Sequence, residues 1–195
     1  MPIDDTLDTP LFLIAMKQVV DPFFHRSVVL LLEHDEDGSF GLIVNRPTDV
    51  AMVQLLTGLG VTWGGALDAA SWFGGPVQPG VGTILYASRE TAAEGELAAH
   101  EFAPGLFISR DIRVLTRLAA RPPAEFRLLL GYAGWGAGQL AQELERSDWL
   151  IAPLDRGSLF GPEPAAMWDR ALQSIGVRPE SLPTWTMTRE DEKTN

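Results

Sequence analysis

Residues 27–33 read Ser-Val-Val-Leu-Leu-Leu-Glu, and this run restricts the fold more than any other segment. Successive side chains of a strand point to opposite faces, so an unbroken apolar run needs cover on both sides. Residues 35–39 (DEDGS) form a turn, and residues 40–45 (FGLIVN) return as the second arm of a hairpin. With that turn, His34 faces Phe40, Val29 faces Asn45 and Ser27 faces Pro47. Ser27, Val29, Glu33 and Asn45 then share one face, and His34 and Arg46 share the other. A strand advances roughly 3.3 Å per residue, which puts the acidic turn about 20 Å from the polar end holding Asp21, Ser27, Asn45 and Arg46. The two ends are not expected to form one site.

Beyond the hairpin, Pro47 stops the pairing. Thr48 or Asp49 caps a helix through Leu59, with Met52, Val53, Leu55, Leu56 and Leu59 inward and Gly60 past its end. Residues 61–70 read as a loop, and residues 71–77 and 83–87 as short strands punctuated by Gly and Pro. Residues 88–104 are acidic and Ala-rich and carry no clear period, while 105–108 form a strand. Ser109 or Asp111 caps a helix carrying Ile112, Leu115, Leu118 and Ala119, which Pro122 and Pro123 terminate. Residues 125–132 form a strand that runs into a glycine-rich loop at 131–138, and a helix follows over 139–146. A last helix covers 164–175, with Met167, Trp168, Leu172 and Ile175 inward and Gly176 as its stop. An early hairpin with irregularly placed helices is not βαβ alternation. It predicts an α+β domain: a curved, mostly antiparallel sheet with helices packed around it.

The chain of 195 residues fits one domain over 1–195, with a core at about 10–176, an acidic frayed start and a frayed charged tail at 188–195. Zero cysteines exclude disulfides, thiolate nucleophiles and Cys-ligated metals. No apolar run approaches the roughly 20 residues that span a bilayer, and the start lacks the basic residues of a signal peptide, so a cytoplasmic protein is expected. A net charge of −11, from 15 basic and 26 acidic residues, argues against direct nucleic-acid binding. Arg110, Arg113, Arg117 and Arg121 recur at helical spacing and read as a solvated helix face.

Few segments suggest chemistry. Asp35, Asp37 and Ser39 alternate as in calcium loops, but Arg46 stands where the closing Glu belongs, so no metal is expected. Asn45-Arg46-Pro47 leaves a strand beside the expected helix start, where free N–H groups and the helix dipole favour an anion; the structural alternative is that Arg46 pairs with Asp21 or another carboxylate and Asn45 satisfies the turn backbone. The 131–138 segment lacks a Walker lysine and the dinucleotide fingerprint, which leaves a tight turn around Trp135. His25 and Ser27 could meet on one strand face, a pairing that reads as structural, and no nucleophile elbow or cofactor motif occurs.

Leu13-Ile14-Ala15-Met16, Asp21-Pro22 with Phe24 and Ser27-Val28-Val29, Glu33-His34, and Gly38 with Gly41-Leu42-Ile43 are one part of a recurring pattern. Asn45-Arg46-Pro47, Gly74-Gly75-Pro76-Val77 and Gly131-Tyr132-Ala133-Gly134-Trp135 with Gly138-Gln139-Leu140 complete it. Over residues 10–176 the chain resembles the YqgE/AlgH family. The resemblance implies a compact domain on a curved, partly barrel-like antiparallel sheet, in bacterial cytoplasmic proteins often labelled transcriptional regulators. It implies no particular activity. Lys17 replaces a usual proline, Ala141 replaces a common acidic residue and leaves Glu143 as the nearest carboxylate, and residues 183–195 lack the usual glycine-rich finish.

The expected function is a non-enzymatic regulatory or interaction domain that binds a protein partner or a small anion near Asn45-Arg46-Pro47. The candidate binding set is Asp21, Ser27, Asn45, Arg46, Gly74, Gly75, Trp135 and Gln139, with no cofactor. A hydrolase using Asp21, His25 or Glu33 is one alternative. A transcriptional regulator without strong direct DNA binding is another.

Overall fold

Val28, Val29, Leu30 and Leu31 are all fully buried. Val28 and Leu30 join one apolar cluster and Val29 and Leu31 another, so the run is covered on both faces as expected. In the computed structural model, which describes residues 7–88 and 98–182, the run belongs to strand β2 (Val28–Asp35). Strands β1 (Leu11–Ala15) and β3 (Gly38–Ile43) flank it, both antiparallel. β4 (Pro47–Ala51) and β5 (Ala70–Phe73) pair with each other at one side. The remaining strands are β6 (Val77–Ala87), β7 (Ala99–Ala103), β8 (Leu106–Ser109), β9 (Phe126–Gly136) and β10 (Trp149–Pro153). The main path runs β10-β1-β2-β3-β9-β6-β8-β7, a curled antiparallel half-barrel. Five helices pack around it in a single α+β domain.

The hairpin register differs from the expected one. Asp35 pairs with Gly38, His34 with Ser39 and Glu33 with Phe40. Asp35 Oδ1 accepts the N–H groups of Asp37 at 2.9 Å and Gly38 at 3.1 Å, which closes a turn shorter than residues 35–39. A register shift between Leu31 and Glu33 then brings Val29 opposite Ile43 rather than Asn45. The extra residue reverses the alternation. Glu33 lies with Phe40, on the side of the Leu30 cluster, so it does not share a face with Val29.

Two further expectations are corrected. Residues 47–51 are strand, because Pro47 is tolerated at a strand's first position, and Thr48 Oγ1 meets Ser71 Oγ at 2.6 Å. Helix α1 (Met52–Gly58) starts later than expected, and its Ala51 cap offers no side-chain acceptor. Met52 and Leu56 are buried as read, but Leu59 is 56% exposed. The segment expected as a glycine loop and tight turn around Trp135 is instead part of β9, which pairs with β3 through residues 133–136 and with β6 along its earlier half. Its glycines serve close backbone approach. Gly131 has φ +73°, and a Cβ there would lie 2.2 Å from the Gly75 carbonyl oxygen. The Gly74 N–H donates to Leu130 O at 2.7 Å, so Gly74 and Gly75 are committed to this crossing.

Helix α2 (Ile112–Ala120) is capped by Asp111, which accepts the Arg113 N–H at 2.8 Å, as one of the two expected caps. Helices α3 (Gln139–Glu145), α4 (Arg156–Leu159) and α5 (Met167–Ser174) follow. Buried Met167, Trp168 and Leu172 seat α5, and the Trp168 indole donates to Ala15 O at 2.7 Å. The tail at 188–195 lies outside the described residues. No helix among those described is long and apolar enough to cross a membrane.

Candidate functional site

The site begins with a clasp. Asn45 Oδ1 accepts the Val28 N–H at 2.9 Å, and its Nδ2 donates to Arg26 O at 3.0 Å. Next along the chain, Arg46 donates to Pro22 O at 2.7 Å and also to His25 O. Burial lowers the Arg46 pKa from its ordinary value, and the negative charge of Asp21 opposes that shift. Asp21 Oδ1 itself accepts the Phe23 N–H at 2.8 Å, tightening the same bend. Asn45 and Arg46 therefore hold the connection between β1 and β2 in one conformation. The helix start that was to share an anion with Arg46 is absent there, since β4 intervenes.

The clasped loop presents apolar groups to water. Val20 is 83% exposed and Phe23 is 46% exposed, with the Phe23 ring stacked on Phe73 at 5.8 Å. Phe24 turns inward onto Trp149 at 5.7 Å and Trp135 at 6.4 Å, and the two indoles meet edge to face at 5.7 Å.

Beneath this aromatic knot lies a carboxylate. Glu143 Oε2 accepts the indole N–H of Trp135 at 2.8 Å and that of Trp149 at 2.7 Å. Its Oε1 accepts from Gln139 Nε2 at 2.9 Å, and Gln139 Oε1 accepts the Gly136 N–H at 3.1 Å. Positions 139 and 143 share one face of α3, four residues apart. Loop and knot enclose a cleft of about 370 Å³, lined by Val20, Asp21, Phe24, Trp135, Glu143 and Asp148 among others. Arg146 is the cleft's one basic side chain and pairs with Asp148 at 2.9 Å, so the remaining charge is negative.

Of the eight candidate residues, the cleft gathers Asp21, Trp135 and Gln139. Asn45 and Arg46 support it from behind. Ser27 is fully buried and its Oγ has no hydrogen-bond partner, so the possible His25–Ser27 contact is not made. Gly74 and Gly75 stand at the strand crossing. The residues of the hydrolase alternative do not converge: Glu33 lines a different groove, and exposed His25 places Nδ1 3.2 Å from Val19 O. Sequence reasoning missed Val20, Phe23, Phe24, Glu143 and Trp149 as site residues. Glu143 was signalled by its i, i+4 spacing from Gln139 and by being the nearest carboxylate to the acidic position that Ala141 replaces; Trp149 had no signal.

Residues 12–180 match the family model described as AlgH-like. A UPF0301 protein of Myxococcus xanthus is 39% identical over 175 residues, covering 89% of this chain and 93% of its own length. One of Paracoccus denitrificans is 42% identical over 176 residues, at 87% and 90% coverage. The solution structure of the AlgH protein from Pseudomonas aeruginosa is similar with a TM-score of 0.71 and 34% identity, covering 89% of this chain and 94% of that one. A crystal structure of a protein from Corynebacterium diphtheriae shares the fold at a TM-score of 0.70 and 23% identity, covering 86% and 87%.

Proposed function

The chain belongs to the AlgH-like family, and we propose that it acts as a non-enzymatic cytoplasmic interaction domain, gripping a basic segment of a protein partner at the Val20–Phe23 loop and the Glu143 cleft. The observation that carries this reading is the pairing of exposed Val20 and Phe23 with a loop clasped by Asn45 and Arg46. A loop already held in place loses little conformational entropy when it binds. Apolar side chains beside the negative cleft suit a segment that carries both hydrophobic and Lys or Arg residues. A small anion suits the cleft poorly, because Arg46 donates to main-chain carbonyls and Arg146 to Asp148. A regulatory role would then run through protein contacts, since a chain of net charge −11 repels DNA phosphates.

The test compares in-cell crosslinking of the natural chain with that of a Val20→Asp, Phe23→Ser double variant. Val20 is exposed and Phe23 half exposed with its ring on Phe73, so the double variant should stay folded with a loss of about 1–2 kcal/mol. The reading expects a specific crosslinked protein to be lost in the double variant and its binding in vitro to weaken with added salt. An unchanged crosslinking pattern would place the interaction elsewhere.

A further inference from the structure

A second, larger groove lies apart from this cleft, among strands of the main sheet. Its volume is about 1100 Å³, and its walls include Glu33, Phe40, Gln78, Ile108, Arg110 and Tyr132. These residues come from β2, β3, β6, β8, the link from β8 to α2, and β9. The groove exists because β6 leaves β9: Val77 pairs with Tyr132, but the next pair is Gly82 with Leu130. Five residues of β6 thus span two of β9, and the excess buckles away from the sheet. Gln78 stands in this bulge with φ +49°, a left-handed backbone that a non-glycine residue adopts only when its surroundings impose it.

Arg110 is exposed and lines the groove. Its guanidinium lies 5.0 Å from the Phe40 ring centroid and 5.7 Å from that of Tyr132, while Nε donates to Thr83 Oγ1 at 3.3 Å. Among the described residues Arg110 makes no ion pair. The adjacent carboxylate, Asp111, is taken by Arg113 at 2.6 Å. The cation is therefore oriented by two aromatic rings and a hydroxyl, and its terminal nitrogens have no acceptor among the described residues. A planar fork held in this way is preorganised for two parallel hydrogen bonds to a carboxylate.

We propose that this groove is a binding site for a small organic monocarboxylate, whose carboxylate sits on Arg110 and whose apolar body lies along Phe40, Tyr132 and Ile108. A single unpaired cation matches a single negative charge. A phosphate dianion would bring a second negative charge beside Glu33, which has no cationic partner among the described residues; Arg110 and His100 are the basic side chains on the groove's walls. The Gln78 amide offers a further donor and acceptor on the same wall. This site rests on different residues from the partner cleft and stands or falls independently of it.

The test is a titration of the ¹⁵N-labelled chain with 4-phenylbutyrate, followed by amide chemical shifts, with 4-phenylbutanol and inorganic phosphate as comparisons. The proposal expects saturable shifts at Phe40, Thr83, Ile108 and Tyr132. It expects at least tenfold weaker binding for the alcohol, for phosphate, and for 4-phenylbutyrate on Arg110→Gln with its spectrum otherwise intact. Should Arg110→Gln fail to fold, Arg110→Lys keeps the charge but loses the fork, and at least threefold weakening is expected. No saturable shift at the groove, equal binding of the alcohol or of phosphate, or undiminished binding by the Arg110 variants would overturn it.

Discussion

Asn45 and Val28 are joined by a side-chain-to-backbone hydrogen bond of 2.9 Å, which starts β2 from across the hairpin. The same carboxamide donates to the carbonyl of Arg26, a residue in the left-handed region at φ +53°. Asn45 is only 8% exposed, so Asn45→Ala leaves a donor and an acceptor without partners. The expected loss is about 2–3 kcal/mol in urea denaturation. Asn45→Asp keeps the acceptor, loses the donor and places a charge there, and it should destabilise more. A loss under about 0.5 kcal/mol for the alanine variant would contradict the clasp.

Ser27 lies beside this clasp with its hydroxyl buried and unpaired. Removing a buried polar atom that makes no bond relieves a desolvation penalty. Ser27→Ala should be neutral or stabilise by up to about 1 kcal/mol. A clear drop in melting temperature would mean that the hydroxyl has a partner.

What the sequence discloses here follows from how local each cause is. The apolar run at 28–31 states its own two-sided burial, and Asp111, Pro122 and Gly176 mark real helix boundaries. The hairpin register depends on one side chain, Asp35, closing the turn, and on an extra residue at the Leu31–Glu33 shift. Neither shows in composition. Glycines that admit a neighbouring backbone, as Gly131 admits Gly75, look like loop glycines until the neighbour is known. Arg46 reads as an available cation because its acceptors are main-chain carbonyls some twenty residues earlier. Trp149 lies six residues beyond Glu143, and the turn from α3 into β10 folds its indole back onto the carboxylate.

Glu143 anchors two buried indoles. Glu143→Ala strands both N–H donors and should cost about 2–5 kcal/mol, with a change in tryptophan fluorescence from the altered surroundings of Trp135 and Trp149. Glu143→Gln keeps an acceptor oxygen and should lose only about 1 kcal/mol. Equal stability of the two variants would show that the indole bonds contribute little.

Arg127 is a buried cation with no carboxylate partner among the described residues. It is 3% exposed, its guanidinium lies 3.7 Å from the Trp72 ring centroid, and it donates to Val44 O. Burial pushes its pKa down to about 10. A cation whose folded pKa is lowered holds its proton less tightly than in the unfolded chain, so its charge opposes folding at neutral pH. Arg127→Met fills most of the volume without the charge and should fall within about 1 kcal/mol of the natural chain. Arg127→Ala leaves a cavity against Trp72 and should cost about 2–4 kcal/mol. Calorimetry on both variants decides; a Met variant as unstable as the Ala variant would assign the guanidinium a net stabilising role.

The most direct measurement is amide hydrogen exchange on Arg46→Ala. If Arg46 holds the loop that presents Val20 and Phe23, exchange should accelerate at least tenfold across residues 19–27 while β2, β3 and β9 keep their protection. Unaltered exchange in that loop would contradict the clasp, and with it the rigid presentation on which the proposed partner site depends.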